Sequence, residues 1–396
     1  MKKAIVLITI GVTILIISCK KEVEPAISTC TTTYEQSAVL STFGGEIDLN
    51  NLKNYANQTI PNYINKDNTG ANSITDAGAT LGRVLFYDKN LSIDNTISCS
   101  SCHKQSYAFG DTAQASIGVN GTTGRHSMRL VNSRFSIEQK FFWDERATTL
   151  EEQTTKPIQD HVEMGYSGQS GNPNINVLLT KLEGIEYYNE LFTRAYGSMQ
   201  VTESKMQNAL AQFIRSIQSF DSKFDVGRAT ALNDGIPFSN FTAEENQGKQ
   251  LFLAPPQFNG VGVRTGGGLG CNGCHNAPEF DIDPNTRNNG VIGTVTGTGT
   301  DFTVTRAPSL RDVIKANGTS NGPFMHIGVS NNFRTVLTHY DKINITGNPT
   351  IDNRLRPGGN PQDLAMTNSE KNAVIAFIKT ISGNDIYTND KWADPF

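Results

Sequence analysis

Two short motifs carry the clearest chemistry in this chain of 396 residues. Both read Cys-x-x-Cys-His, and the two copies are Cys99, Cys102, His103 and Cys271, Cys274, His275. Two thiols three residues apart on a turn can each form a thioether with a haem vinyl group, and the adjacent imidazole then ligates the iron. The spacing therefore predicts two covalently attached c-type haems, with His103 and His275 as the proximal iron ligands.

Two other uses of paired cysteines compete with haem attachment. A zinc knuckle would use both pairs as ligands of one ion and would need no histidine in the fifth place. A redox dithiol of the thioredoxin type would need a βαβ context, which the sequence lacks. Two motifs that both end in histidine favour haem over either alternative.

The segment of residues 141–165, after the first motif, contains three side chains that could take part in redox or acid–base chemistry. They are Trp143, Gln153 and Glu163, and each is ten residues from the next. At this point the chain resembles the bacterial di-haem cytochrome c peroxidases and the MauG-like proteins, over about residues 79–381. The resemblance implies that Trp143 relays electrons between the haems; without haems it would be an ordinary core aromatic. It also implies that Glu163 moves the peroxide proton and that Gln153 hydrogen-bonds the peroxide.

The chain departs from the family pattern in three places. Glu145 replaces the glycine of the usual Trp-Asp-Gly-Arg turn. Loop 116–124 lacks the histidine that blocks the first iron in many members, so we expect an open first haem without reductive activation. The family's calcium site would involve His126 with carbonyls near Asn321 and Pro323. Calcium prefers oxygen to imidazole, so calcium as a further cofactor is left open.

The sixth ligand of the second haem is open among three side chains. The family's axial ligand comes fourteen residues after the histidine that corresponds to His326, which is the position of Tyr340. Met325 and His339 are its rivals. Methionine would raise the haem potential, whereas tyrosinate, the MauG-like choice, would stabilise ferric and higher states.

Three further charged residues are expected to be solvated or to form ion pairs. Glu151 and Glu152 are expected to be solvated on a helix. Arg311 is expected to meet a haem propionate through its fork of donors or to form a surface salt bridge.

Helices separated by long loops must position these residues. Capping boxes at Thr242 with Glu245 and at Thr367 with Glu370 precede apolar runs, and apolar residues recur at helical spacing over 203–224. Extended alternation is scarce. The fold class is therefore mainly α, with two c-type cytochrome-like haem domains and long irregular loops.

A weak internal duplication supports one domain per motif, since a glycine-led apolar run precedes each pair of cysteines, at Gly82 and at Gly248. The expected division is a lipoprotein signal peptide at 1–18, a tether and N-terminal extension at 19–70, a peroxidatic haem domain at 71–230, an electron-transfer haem domain at 231–382 and a C-terminal tail at 383–396.

The N-terminus predicts export. Lys2 and Lys3 precede a short apolar run that ends at Ser18 and Cys19, which resembles a bacterial lipoprotein signal. The mature chain is then expected on the periplasmic side of a bacterial membrane, held by a lipid on Cys19; an ordinary secretory signal is the alternative. Cys30 receives no function.

These observations predict a cytochrome c peroxidase that reduces hydrogen peroxide to water. Electrons from a small c-type cytochrome or a copper protein would enter at the His275 haem and pass to the His103 haem. A net charge of −4 gives no reason to expect nucleic acid as a partner. Two alternatives remain: a MauG-like oxidase of a side chain on a partner protein, and a membrane-tethered electron carrier without enzymatic activity.

Overall fold

The computed structural model describes residues 37–396, which are rich in helix and contain few strands. The α-helices of that range are α1 (Ala38–Phe43), α2 (Asp76–Tyr87), α3 (Cys99–Cys102), α4 (Leu150–Gln159), α5 (Ile175–Glu183), α6 (Glu186–Tyr196), α7 (Glu203–Ser216), α8 (Lys223–Thr230), α9 (Ala243–Leu253), α10 (Phe333–Asp341) and α11 (Asn368–Thr380). The strands form three antiparallel pairs, β1 (Ile117–Gly118) with β2 (Gly121–Thr122), β3 (Pro256–Phe258) with β4 (Arg264–Gly267) and β5 (His275–Asn276) with β6 (Asp281–Ile282).

The predicted signal peptide, Cys19 and Cys30 lie outside the described residues. Within residues 37–396, no helix combines the length and the apolar character that crossing a bilayer requires.

Two hydrophobic cores organise the described chain. The first is built mainly from residues between Val39 and Ile217, and the second from residues between Phe224 and Ile381. The cores therefore divide within residues 217–224, slightly before the boundary expected at 230. Each core contains one of the two Cys-x-x-Cys-His motifs at its edge, because Cys99 packs against the first and Cys271 against the second.

Both ends of the described chain pack onto the first core. Helix α1 falls inside the segment expected to be a tether, yet Val39 and Phe43 are buried. At the other end, Trp392 is buried and donates from Nε1 to Ser216 Oγ at 3.3 Å. Arg83, also buried, donates from Nε to the Ala393 carbonyl at 2.6 Å. The segment expected as a C-terminal tail is thus part of the first unit.

The two capping boxes predicted from the sequence are confirmed, at the starts of α9 and α11. The single helix predicted over 203–224 is wrong. Helix α7 ends at Ser216, the chain then crosses between the two cores, and α8 begins after Ser222 with a capping box of its own to Asp225. The Ser222–Asp225 spacing was the sequence signal for that second start.

Arg311 lies in neither of the two expected places. It is fully buried, and its Nη1 and Nη2 donate to the two carboxylate oxygens of Asp225, each at 2.9 Å. Nη2 also donates to the Pro278 carbonyl at 3.0 Å. This pair joins α8 to the loop that follows the second motif, so Arg311 has a structural role inside the second unit.

Two glycines allow the main helix pairs to approach closely. A Cβ on Gly82 of α2 would lie 2.0 Å from the Ala209 carbonyl of α7. A Cβ on Gly248 of α9 would lie 1.9 Å from the Ala373 carbonyl of α11. The two halves therefore repeat the same helix crossing, which agrees with the weak duplication seen in the sequence.

We expect Gly82→Ala and Gly248→Ala each to lower the free energy of unfolding by about 1–3 kcal/mol, because the added methyl group must push two packed helix backbones apart. Chemical denaturation of the holoprotein measures the loss. Gly45→Ala is the matched control, since nothing lies within 4 Å of its Cβ position. Equal stability of all three variants and the wild type would contradict this account of the crossings.

Candidate functional site

Each Cys-x-x-Cys-His motif lies on the wall of a large cavity. The first cavity, of about 530 Å³, is lined by Cys99, Cys102 and His103. The second cavity, of about 630 Å³, is lined by Cys271, Cys274 and His275. Both volumes fall in the range of about 300–1,000 Å³ that is usual for sites of small molecules and cofactors.

His103 is oriented to ligate a metal through Nε2, and both motif histidines are neutral. Helix α3 ends at Cys102, and His103 follows as its C-cap with Nδ1 3.2 Å from the Phe109 carbonyl oxygen. A proton on Nδ1 that binds this carbonyl leaves the Nε2 lone pair free. Burial lowers the pKa of His103 and lowers that of His275 to about 4, so both rings are neutral at pH 7, as ligation requires.

The four motif cysteines do not resemble a reactive dithiol or a zinc site. None of the four forms a disulfide, and burial raises the pKa of Cys99 and of Cys271 to about 12. A reactive dithiol needs the opposite shift. Among residues 37–396, no cluster of three or more histidine, cysteine or acidic side chains is arranged to hold a metal ion. The geometry thus disfavours both alternatives weighed from the sequence.

The cavities fit a large flat group that is apolar over most of its surface and anionic at its edge. Arg306 lines both cavities and is only 6% exposed, yet its Nε and Nη1 have no hydrogen-bond partner. Arg129 also lines both, with Nε unpartnered. Buried cationic donors without partners are strongly unfavourable. The carboxylates of haem propionates would complete these hydrogen bonds, so the residues present fit haem.

Trp143 forms the centre of the wall that the two cavities share. Its Nε1 donates to the His126 carbonyl at 2.7 Å, and its own carbonyl accepts from the backbone N–H groups of Thr305 at 2.9 Å and Arg306 at 3.1 Å. The ring is 9% exposed and lies edge-on to His326, with 6.1 Å between the ring centroids. The indole is therefore fixed from the first half of the chain and from the second.

The turn after Trp143 explains the family's preference for glycine. Glu145 has a φ of 57°, in the left-handed region that costs a residue with a side chain about 1–2 kcal/mol. In return, its carboxylate accepts a hydrogen bond from Thr305 Oγ1 at 2.9 Å. Glu145 thus ties the Trp143 turn to the same segment that binds the Trp143 carbonyl.

One face of α4 lines the first cavity. Its lining residues recur at helical spacing, and they are Leu150, Gln153, Thr154 and Pro157. Glu151 points the other way and pairs with Arg215, which is buried, so the expectation that Glu151 is solvated is wrong. Glu152 is exposed and pairs with Lys156 at 2.9 Å.

Glu163 reaches the same cavity from the loop beyond α4. Asp160 Oδ1 accepts from the Glu163 backbone N–H at 3.0 Å, and the Glu163 carbonyl accepts from Val119 N–H at 3.0 Å. Gly118 allows that approach, because a Cβ there would lie 2.1 Å from the Val162 carbonyl. Burial, reinforced by the charge of Asp160, raises the pKa of Glu163 to about 7.

The first cavity has no histidine from loop 116–124. His126 lines this cavity, and its Nδ1 lies 2.9 Å from the Ala113 carbonyl oxygen within the first unit. Burial lowers the pKa of His126 to about 4, so the ring is neutral. Gln153, Glu163 and Arg146 line the first cavity together with His103.

Tyr340 and Met325 line the second cavity, whereas His339 is not among its lining residues. His339 Nε2 instead lies 2.9 Å from the carbonyl oxygen of Asn289. The side chain of Asn289 contacts both remaining rivals, since its Nδ2 is 3.2 Å from Tyr340 Oη and 3.4 Å from Met325 Sδ. Of the three candidate ligands from the sequence, Tyr340 and Met325 thus line the second cavity.

A cationic side chain is already present where the resemblance implies calcium. Arg129 Nη2 donates to the Asn321 carbonyl at 2.6 Å. The side chain of Asn321 is engaged too, because Nδ2 donates to the Asp312 carbonyl at 2.7 Å. A guanidinium on the Asn321 carbonyl leaves that oxygen poorly placed to serve a calcium ion.

Sequence reasoning missed Arg306, Arg129 and Asn289, three residues that line the cavities. Arg306 and Arg311 stand five residues apart in one loop, and nothing in their spacing tells which one enters a cavity. Asn289 lies in a polar loop without periodicity, so the sequence offered no signal for it.

Comparison with known proteins agrees with this geometry. Residues 76–230 match the family model described as di-haem cytochrome c peroxidase. The chain is 28% identical over 325 residues to the methylamine utilization protein MauG of Methylophilus methylotrophus, with 79% of this chain and 84% of that protein covered. It is 28% identical over 322 residues to the cytochrome c551 peroxidase of Nitrosomonas europaea, with 77% and 80% covered.

A solved structure shows the same architecture. A MauG-like protein associated with microbial copper homeostasis matches with a TM-score of 0.65 at 25% identity, covering 86% of this chain and 99% of that one. Each of these matches includes both Cys-x-x-Cys-His motifs. A match that left out either motif would have to fit into the chain on one side of it, and that part of the chain is shorter than the matched length.

Proposed function

We propose a function from two findings: residues 76–230 match the family model described as di-haem cytochrome c peroxidase, and similarity to peroxidases and MauG proteins extends through most of the chain. On that premise we propose that the protein reduces hydrogen peroxide to water at the first cavity. The electrons come from a small c-type cytochrome or a copper protein and enter at the second cavity.

The proposal assigns one covalently bound haem to each cavity. Cys99 and Cys102 would form the thioethers of the first haem and His103 would ligate its iron, while Cys271, Cys274 and His275 would do the same for the second. When bound, the first haem supplies the iron that activates peroxide, and the second supplies the entry point for electrons. Arg306 and Arg129 bind propionates through the donors that otherwise lack partners.

Glu163 and Gln153 perform the acid–base work on peroxide. Glu163 would take the proton from one oxygen of hydrogen peroxide and return it to the other oxygen, which leaves as the first water. Two electrons from the donor and two protons from solvent then convert the remaining oxygen to the second water. A pKa near 7 suits both proton transfers by Glu163, because the group can accept and release a proton at neutral pH. Gln153 donates a hydrogen bond from its uncharged amide and orients the peroxide without competing for the proton.

Trp143 offers the path between the two sites. Its ring lines both cavities, and backbone hydrogen bonds hold it from both halves of the chain. We propose that Trp143 relays electrons between the two haems. The backbone hydrogen bond between Trp143 and Arg306 holds the indole at a fixed position relative to the Arg306 guanidinium, which lines both cavities.

A single observation carries the peroxidase proposal. A carboxyl group with a raised pKa and an amide line the first cavity, and loop 116–124 brings no histidine to close it. An electron carrier would need neither group and would close both irons. The MauG-like alternative, oxidation of a partner's side chain, is favoured by one observation, the presence of Tyr340 on the wall of the second cavity.

We further propose that the chain is exported and held at the periplasmic side of a bacterial membrane by a lipid on Cys19, as its N-terminal sequence indicates. The contact between Arg129 and the Asn321 carbonyl favours a joint between the units that needs no calcium.

Haem attachment is tested by the mass of the intact protein after denaturation. The wild type produced in a host that attaches c-type haem is expected to retain two haems. The double variant Cys271→Ser with Cys274→Ser is expected to retain one, because its second cavity has lost both thioethers. Cys30→Ser is the control and should retain two. A wild type that binds zinc and carries no haem would refute the assignment.

Glu163→Gln is expected to lower peroxide turnover by about 10²–10⁴-fold while haem content is unchanged, because the amide cannot accept the proton. Wild-type turnover should fall as the pH drops below about 7, where Glu163 becomes protonated, and the residual rate of the variant should not follow that profile.

The matched control for this test is Glu152→Gln. Glu152 lies on the same helix as Gln153, is paired with Lys156 at the surface and does not line the cavity. Turnover within about twofold of the wild type is expected for it. If Glu163→Gln kept the wild-type rate and pH profile, Glu163 would not be the acid–base group.

A further inference from the structure

Asn289 lines the second cavity, although it belongs to none of the sequence motifs. Its loop follows β6 and brings the side chain between Met325 and Tyr340. The amide Nδ2 lies 3.2 Å from Tyr340 Oη and 3.4 Å from Met325 Sδ. An amide nitrogen carries two hydrogens, so it can serve both atoms at once.

The orientation of this amide is set by its own backbone neighbour. Asn289 Oδ1 accepts from the Val291 N–H at 3.1 Å. Turning the amide over would place an NH₂ group against that N–H and an oxygen against Tyr340. The donor side therefore faces the cavity, and the assignment of nitrogen and oxygen rests on hydrogen bonding.

The loop that carries Asn289 is held rigidly. The neighbouring Asn288 is fully buried; its Oδ1 accepts from Asn348 Nδ2 at 2.8 Å and its Nδ2 donates to the Val304 carbonyl at 3.3 Å. The Asn289 carbonyl itself lies 2.9 Å from His339 Nε2. Movement of the amide away from the cavity would break several of these bonds.

The two rival ligands make different demands on such a donor. A phenol ligates iron as phenolate, so its oxygen would carry negative charge in the ligated state. A hydrogen bond to the anionic oxygen is charge-assisted and strong. A thioether needs no deprotonation and is only a weak acceptor. A fixed donor between the two therefore favours the phenolate much more than it favours the thioether.

We propose that Asn289 is the positioning residue that selects Tyr340 rather than Met325 as the axial ligand of the second haem. The selection rests on the proposed function, in that it assumes a haem on His275. Asn289 stabilises Tyr340 Oη as an anion and keeps Met325 Sδ in a weak hydrogen bond beside it. The protein thereby keeps a low-potential, ferric-stabilising ligand at the electron-entry haem.

The test is the ligation of the resting ferric holoprotein, read from its optical charge-transfer bands, low-temperature EPR and resonance Raman spectrum. In the wild type we expect a phenolate signature that Tyr340→Phe removes. In Asn289→Leu we expect the ratio of phenolate to methionine ligation to fall about tenfold or more, since a bond to a charged group is lost. Met325→Leu in that background should remove the methionine signature that appears.

Two further variants complete the design. Asn289→Asp keeps the side-chain shape and the contact with Val291 but has no donor for Tyr340, so it should lose phenolate ligation even if the leucine variant loads haem poorly. Asn344→Leu is the control, because Asn344 is exposed beyond α10, and it should keep the wild-type spectrum.

The result that would overturn the selection is a phenolate signature unchanged in both Asn289 variants at full haem content. A wild type without any phenolate signature would overturn it as well. Peroxide turnover of the wild type, measured on the same samples, tests the proposed function separately, because it also requires the acid–base groups of the first cavity.

Discussion

The wall between the two cavities is the feature on which the rest of the site depends. Trp143 donates to a carbonyl of the first half of the chain and accepts from two backbone N–H groups of the second. One of those N–H groups belongs to Arg306, whose side chain lines both cavities. The two units are therefore joined through the group that separates their sites, and a shift of either unit would move the indole.

Removal from water sets the electrostatics on both sides of that wall. Burial raises the pKa of Glu163 to about 7 and leaves it able to exchange a proton at neutral pH. The same effect keeps His103 and His275 neutral and lowers the pKa of Arg306. These side chains are costly to bury alone, and each is suited to a group with iron at its centre and carboxylates at its edge.

Much of this arrangement could be predicted from the sequence because it depends on local spacing. The two motifs, the capping boxes and the mainly helical class are all patterns within a few residues of one another. The placement of Gln153 and Glu163 on one cavity followed from a resemblance, and the structure shows how α4 and Asp160 achieve it. The helix over 203–224 was predicted too long because apolar periodicity continues across the crossing between the cores.

What the sequence could not supply depends on contacts between distant segments. Arg311 and Arg306 look alike in the chain, but Asp225 lies within reach of the first and leaves the second to face the cavities. Glu151 and Glu152 are adjacent, yet only Glu151 meets the buried Arg215. Asn289 is close to Met325 and Tyr340 only after the second unit has folded.

The proposed peroxidase activity requires an iron on His103 that is open to peroxide without prior reduction. Low-temperature EPR of the oxidised holoprotein, recorded before and after a few equivalents of peroxide, tests it most directly. The account predicts a high-spin ferric signal that peroxide removes. Two low-spin signals that ignore peroxide would contradict it, and failure of partial reduction to restore the reaction would then favour an electron carrier.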